Sequence, residues 1–321
     1  MLLSVTKKEM RMEKFMSKDN KRVSPYPNAH EEVKAARNVA DTPQTSSASY
    51  KLSYLDEEFI LRDELRPVRL QLELLKPELI QQELGVESTV VMFGSARTPD
   101  HESASKALEE VEEELKSNPE DIKLLEKHKA AHRRVKNSFY YEEARKLARM
   151  ISCTCQDAEK RTYVITTGGG RGIMEAANRG AYETGAKSIG LNIILPFEQR
   201  PNEYITPELC FQFHYFAIRK MHFLMRAKAL IVFPGGFGTM DELFETLTLV
   251  QTKKIKPIPI LLFGRDYWKR LIDFEMFVEE GTISPEDLHL FKYVESAEEA
   301  WALLRALDPD LKNGANSEGE Q

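Results

Sequence analysis

The chain has 321 residues, 42% of them hydrophobic and 30% charged, enough for one large α/β domain with accessory helices. A formal net charge of −6 argues against nucleic acid as a partner. No apolar run reaches the roughly eighteen residues of a membrane span, so no membrane association is expected. The first residues lack the apolar core of a leader, so the expected location is cytoplasmic.

Residues 1–49 are polar and charged and end in Ser- and Thr-rich sequence, which reads as a disordered tail. Residues 50–86 read as an N-terminal helical extension in two pieces. Asp56, Glu57 and Glu58 open the first, and Pro67 suits the first turn of the second. Leu70, Leu72, Leu74, Leu75, Leu79 and Ile80 give that second piece an apolar side, to pack on the main domain or on a partner subunit.

The main domain is expected over 87–307, starting with a strand at Thr89-Val90-Val91-Met92-Phe93. A helical hairpin over about 101–136, broken at Ser117-Asn118-Pro119, reads as a solvated insertion ahead of a helix over 138–151. Further strands are expected over 162–167, 187–195, 209–214, 229–233 and 258–263. Helices are expected over 172–184, 216–227, 238–252, 266–279 and 297–307, and a polar tail over 308–321. Alternating strands and helices imply an α/β fold, a Rossmann-like doubly wound parallel sheet.

Three strands end in glycine-bearing turns: Gly94-Ser95-Ala96-Arg97, Gly168-Gly169-Gly170-Arg171-Gly172 and Pro234-Gly235-Gly236-Phe237-Gly238-Thr239. The last runs from a strand into a helix. Such a turn aims backbone N–H groups and the positive end of a helix dipole at one point, where a phosphate can sit. Thr239 adds a hydroxyl donor, and Glu242 follows three residues later, within the first helical turn. Arg219 and Lys220 stand in the first turn of another helix, where cations oppose the dipole and an anionic partner would justify them. Together these residues suit cleavage of an N-glycosidic bond in a phosphorylated nucleoside. Glu242 would stabilise the oxocarbenium ion and orient or deprotonate the attacking water. Arg219 would hold the phosphate or ribose, or orient the carboxylate.

Other chemistries have less support. The odd number of cysteines, Cys153, Cys155 and Cys210, argues against a disulfide framework and reads as buried thiols. His128 and His132 share a helix face but lie in a strongly basic segment, 127–134, that lacks a nearby carboxylate triad, so they read as a solvated face and no metal site is expected. No cofactor is expected either, because no lysine has the setting of a pyridoxal-phosphate Schiff base. The turn at Gly94 lacks the second and third glycines of a dinucleotide fingerprint.

The Pro234–Glu242 segment resembles the P-G-G-x-G-T-x-x-E motif of the LOG (LONELY GUY) family, whose members are often labelled lysine decarboxylases. The turn at 168–178 is similar to the glycine motif of that family's longer bacterial branch, and 214–220 to the segment carrying its catalytic arginine. The likeness extends over about residues 50–300. It implies a Rossmann-like fold and hydrolysis of nucleoside 5′-monophosphates, AMP or cytokinin riboside monophosphates, to free base and ribose 5-phosphate. It also implies a homodimer with active sites near the subunit interface. Arg219 and Glu242 would then be catalytic, and Gly235, Gly236, Gly238 and Thr239 would bind phosphate. Ser95 and Arg97 would lie near the substrate, with Gly169, Gly170 and Lys220 as further nucleotide-binding candidates. The N-terminal helices and the insertion are additions to the short plant-type members, and Glu175 stands where those members usually carry glycine. The alternatives are a non-catalytic nucleotide-binding or carrier protein, which would need the glycine turns but not the carboxylate, and an oligomeric scaffold built on the N-terminal helices.

Overall fold

The computed structural model describes residues 26–156, 161–196, 200–307 and 311. The chain divides into two compact units between Arg69 and Leu70. Residues 1–25, most of the expected disordered tail, lie outside the described residues, as do 308–310 and 312–321 of the expected polar tail.

In the first unit, the stretch expected to lack order up to residue 49 contains a two-turn helix, α1 (Ala29–Ala36). Asn28 and Glu31 form a reciprocal capping box that satisfies two of the amides a helix start leaves unpaired. None of its side chains is buried, so local capping holds it rather than packing. A single turn, α2 (Glu57–Ile60), is capped by Asp56. Arg69 Nη1 fixes the following bend by donating to the carbonyls of Ile60 and Arg62 at 2.7 and 2.5 Å.

The second unit is built on seven parallel strands: β1 (Thr89–Phe93), β2 (Val164–Thr167), β3 (Ser188–Ile193), β4 (Cys210–Phe213), β5 (Ala227–Val232), β6 (Ile260–Phe263) and β7 (Lys292–Val294). Their spatial order is β4-β3-β2-β1-β5-β6-β7. All five residues of β1 are buried, as in a central strand covered on both faces, which therefore shows no polar alternation. Val90, Met92, Ile165 and Ile231 face a core shared with α5 (Ile122–Cys155), α6 (Ile173–Tyr182) and α11 (Ala297–Leu307). Val91, Phe93, Leu191 and Leu230 face the opposite core, with Phe223 of α7 (Phe216–Met225) and Leu243 of α8 (Phe237–Gln251). Ile80, from α3 (Arg66–Glu83), packs on this second side. The sheet is thus doubly wound, as the alternating pattern implied. The chain adds strands on one side of β1 as far as β4 and then crosses to place β5 on the other. The carboxyl ends of β1 and β5 therefore flank the topological switch point, where open α/β sheets form a binding crevice.

Several elements differ from their sequence-based bounds. The hairpin α4 (His101–Ser117) with α5 has no break near residue 137, because α5 is one helix of 34 residues. It contains neither Gly nor Pro, and Ser138 is accommodated by donating its hydroxyl to the Val135 carbonyl at 2.6 Å. The helix expected over 266–279 is two, α9 (Arg265–Leu271) and α10 (Phe274–Glu279). Asp273 separates them by capping the second. Strand β7 was not expected. It is three residues long with only Val294 buried, too short to show a period.

Candidate active site

Three glycine turns meet at the switch point. Ser95, after β1, donates its N–H to the Pro234 carbonyl after β5 at 2.9 Å, and Ile173, after β2, donates to the Ser95 carbonyl at 3.1 Å. Gly172 makes this convergence possible. Its φ is +68°, and a Cβ there would lie 2.3 Å from the Ser95 carbonyl oxygen. Any larger residue would push the second turn away from the first.

The turns after β1 and β5 line a cavity of about 600 Å³. Ser95, Arg97, Arg219, Gly236, Gly238, Thr239 and Glu242 all line it, so the fold brings together seven expected site residues from three separate stretches of chain. Gly170 lines an adjoining cavity of about 450 Å³ that shares Arg219, Met174 and Phe216 with the first. Gly169 and Gly235 stand behind the walls and shape them. Gly169 has φ +77°, and a Cβ on it would meet Asn192 at 2.2 Å, while one on Gly235 would meet Thr239 Oγ1 at 2.1 Å.

Helix α8 opens onto the first cavity. Gly236 is its N-cap and offers no side-chain cap. The first helical bonds come from the N–H groups of Thr239 and Met240, both to the Gly236 carbonyl at 3.0 Å. The N–H groups of Phe237 and Gly238 precede them, in the turn where a helix supplies no acceptor. Gly236 and Gly238 have open space where a Cβ would be, so a ligand can reach the backbone closely. Because the helix starts at Phe237, Glu242 stands on its second turn rather than its first. The carboxylate therefore lies deeper than the helix mouth, and only 6% of the residue is exposed.

Electrostatics divide the charged groups into two roles. Burial raises the Glu242 carboxyl to about 7; Lys220 and Arg219 act to lower it, and Glu245 and Asp241 to raise it. Glu242 can therefore change protonation state near neutrality, as an acid–base group must. Burial lowers the Arg219 guanidinium, and the Glu242 carboxylate counters that. Arg219 is held firmly: Nε donates to the Leu191 carbonyl at 2.7 Å and the guanidinium lies 5.0 Å from the Phe223 ring centre. Lys220 faces acidic groups, with Nζ 2.7 Å from Asp241, 3.0 Å from Glu245 and 3.8 Å from Glu242. Burial alone would lower its pKa, but the bonds to Asp241 and Glu245 outweigh that and raise it.

Sequence reasoning missed the groups that position this machinery. Helix α3 carries Pro77, which has no N–H to give the Glu73 carbonyl four residues earlier. That carbonyl instead pairs with His222 Nε2 of α7 at 3.3 Å. The Glu73 carboxylate accepts the N–H groups of His214 and Tyr215 at 2.8 and 3.1 Å, at the start of α7, which has no side-chain cap of its own. A negative charge there also offsets the dipole penalty on Arg219 and Lys220. On the other side, Asn202 Nδ2 donates to the carbonyls of Gly169 and Gly170 at 3.2 and 2.9 Å and to Asn178 Oδ1 at 3.0 Å. Thr167 Oγ1 donates to the same Asn178 oxygen at 2.7 Å and accepts the Gly169 N–H at 3.0 Å. This buried network fixes the second glycine turn. Glu175, the departure from the short plant-type pattern, accepts the Tyr141 hydroxyl at 3.1 Å and so ties α6 to α5.

Fold and site define an α/β protein of the doubly wound class, with an uncapped helix N-terminus, a buried carboxylate and a half-buried arginine lining one cavity at its switch point. The sequence model of a family described as possible lysine decarboxylase matches residues 174–304. The cytokinin riboside 5′-monophosphate phosphoribohydrolase LOG7 of Arabidopsis thaliana is 30% identical over 158 residues, covering 48% of this chain and 70% of that one. LOG1 of the same plant is 33% identical over 141 residues, covering 42% and 64%. The chain belongs to the LOG family. The Moco carrier protein of Chlamydomonas reinhardtii is 16% identical, covers 69% of this chain and 97% of its own, and superimposes with a TM-score of 0.40, too low to bear on function. The chain spans about two thirds of the length of the two plant relatives. The decarboxylase description finds no support at Lys220, whose ammonium is held by carboxylates and kept charged, the opposite of what Schiff-base chemistry needs.

Proposed function

We propose that the chain is a nucleoside 5′-monophosphate phosphoribohydrolase, acting on AMP or a cytokinin riboside monophosphate. The observation that carries this reading is the shared cavity of Arg219, Glu242 and the open N-terminus of α8. The 5′-phosphate sits on the Gly236–Thr239 turn, where N–H groups and the helix dipole favour an anion. The ribose lies between Arg219 and Glu242, and the base extends into the adjoining cavity past Phe216. As the C1′–N bond breaks, its electron pair leaves with the base and positive charge builds on the ribose. Ionised Glu242 stabilises that charge and takes a proton from the water whose oxygen bonds to C1′. The leaving nitrogen gains a proton and Glu242 gives up the one it took from water, so free base and ribose 5-phosphate form and the carboxylate is restored. No cofactor or metal enters these steps. The reading includes a cytoplasmic homo-oligomer of at least two chains, the state the family resemblance implies.

The test is incubation of the purified protein with AMP, GMP, CMP, UMP and isopentenyladenosine monophosphate, following free base by chromatography. Glu242→Gln should lose roughly a hundred-fold or more in kcat while still binding AMP. Tight AMP binding without base release from any nucleotide by the wild-type protein would replace the reading with that of a carrier.

A further inference from the structure

The hairpin α4–α5 takes no part in the proposed reaction, yet it brings three metal-ligand side chains to one point. His128 and His132, four apart on α5, share a face, and α4 places Glu112 opposite them. Both imidazoles turn Nε2 toward the same oxygen, Glu112 Oε1, at 3.5 Å from His128 and 3.9 Å from His132. One ligand atom from each of the three residues lies within 4.8 Å of the others. The imidazole rings stand nearly perpendicular, at 86°, with centres 4.5 Å apart.

These distances suit an ion better than hydrogen bonds. An N–H···O bond spans about 2.7–3.2 Å, and both contacts are longer. A tetrahedral ion with bonds of about 2.0–2.1 Å holds its ligand atoms roughly 3.3 Å apart, a spacing these side chains reach by small rotations. Two neutral imidazoles and one carboxylate form the donor set of a borderline transition-metal ion, not of magnesium or calcium, which take oxygen. Side-chain exposures of 26% for His128, 46% for Glu112 and 55% for His132 allow an ion to enter without unfolding. The neighbouring cation Lys127 leans toward Glu114, at 3.9 Å. Sequence alone gave this pair a solvated face because its carboxylate lies sixteen residues away, on the other arm of the hairpin.

We propose that Glu112, His128 and His132 bind one divalent transition-metal ion of the zinc class, with a fourth position open to water, and so clamp α4 to α5 beside their connecting turn. Loading such a site stabilises the folded chain, since the unfolded chain does not hold the three ligands together.

The experiment uses full-length, tag-free protein stripped with chelator and titrated with Co²⁺, then Zn²⁺, following cobalt absorption and calorimetric heat. The expected result is a tetrahedral cobalt spectrum saturating at one ion per chain and displaced by Zn²⁺, with a higher thermal midpoint when loaded. Glu112→Gln, His128→Gln and His132→Gln, all at exposed or half-exposed positions, should each weaken binding by at least about ten-fold. Base release from AMP serves as the check that the variants fold. Absence of saturable binding in the wild-type protein overturns the proposal. So does binding that survives unchanged in the triple variant, which would place the ion at other donors.

Discussion

Glu242 carries an energetic burden that can be measured apart from activity. Its carboxyl sits at about 7 in the folded chain against an ordinary 4.5. Between those values the folded protein binds more protons than the unfolded chain, so stability falls as pH rises through that window. Glu242→Gln removes the ionisable group. Its gain in stability should be near zero at about pH 4 and reach on the order of 1–3 kcal/mol at about pH 8. Denaturant unfolding at the two pH values checks this, and an equal gain at both would mean that Glu242 is not raised. Lys220 provides a second test at the same scale. It acts to lower the Glu242 value, so Lys220→Met should move the acid limb of kcat/KM to higher pH. If Lys220 instead gripped the substrate phosphate, KM would rise and the limb would stay in place.

Among the elements, α3 has the most unexpected part. Of the apolar side expected from its leucine spacing, Ile80 packs on the core, while Leu72, Leu75 and Leu79 are about half exposed. Its functional contribution runs through Glu73 and Pro77, which together hold both the start and the middle of α7. Glu73→Gln leaves one oxygen acceptor where two backbone N–H groups need partners, and it removes the charge that offsets the helix dipole. We expect kcat to fall roughly ten-fold with little change in KM, because Arg219 shifts while the phosphate cradle of α8 stays in place. Steady-state kinetics of Glu73→Gln beside Glu73→Asp, which keeps the charge and should recover part of the rate, separates this positioning role from loss of fold.

At the scale of the whole molecule, the sequence revealed what depends on local pattern. Buried parallel strands read as short apolar runs, and glycine turns mark where the chain must bend sharply or approach another backbone closely. Those two signals located most strands of the sheet and the turns after β1 and β5 that line the cavity. Groups whose role depends on contacts far along the chain were not legible. Glu73 meets His214 across 141 residues, and Asn202 meets Gly169 across 33. Glu112 joins His128 only because the hairpin folds back on itself. Strand β7 escaped because three residues at a sheet edge carry no period. The carboxylates around Lys220 escaped because a cation beside a proposed anion site looks the same in sequence whether or not acidic groups also surround it.

The central claim is that water cleaves the C1′–N bond of a nucleoside monophosphate in the cavity at the switch point. Turnover of AMP in ¹⁸O-labelled water, with mass analysis of both products, tests it most directly. The account predicts adenine without label and ribose 5-phosphate that has gained one ¹⁸O, in equal amounts, with no free phosphate. Label in released phosphate, or adenosine as the product, would place the reaction at the phosphate ester and contradict the account.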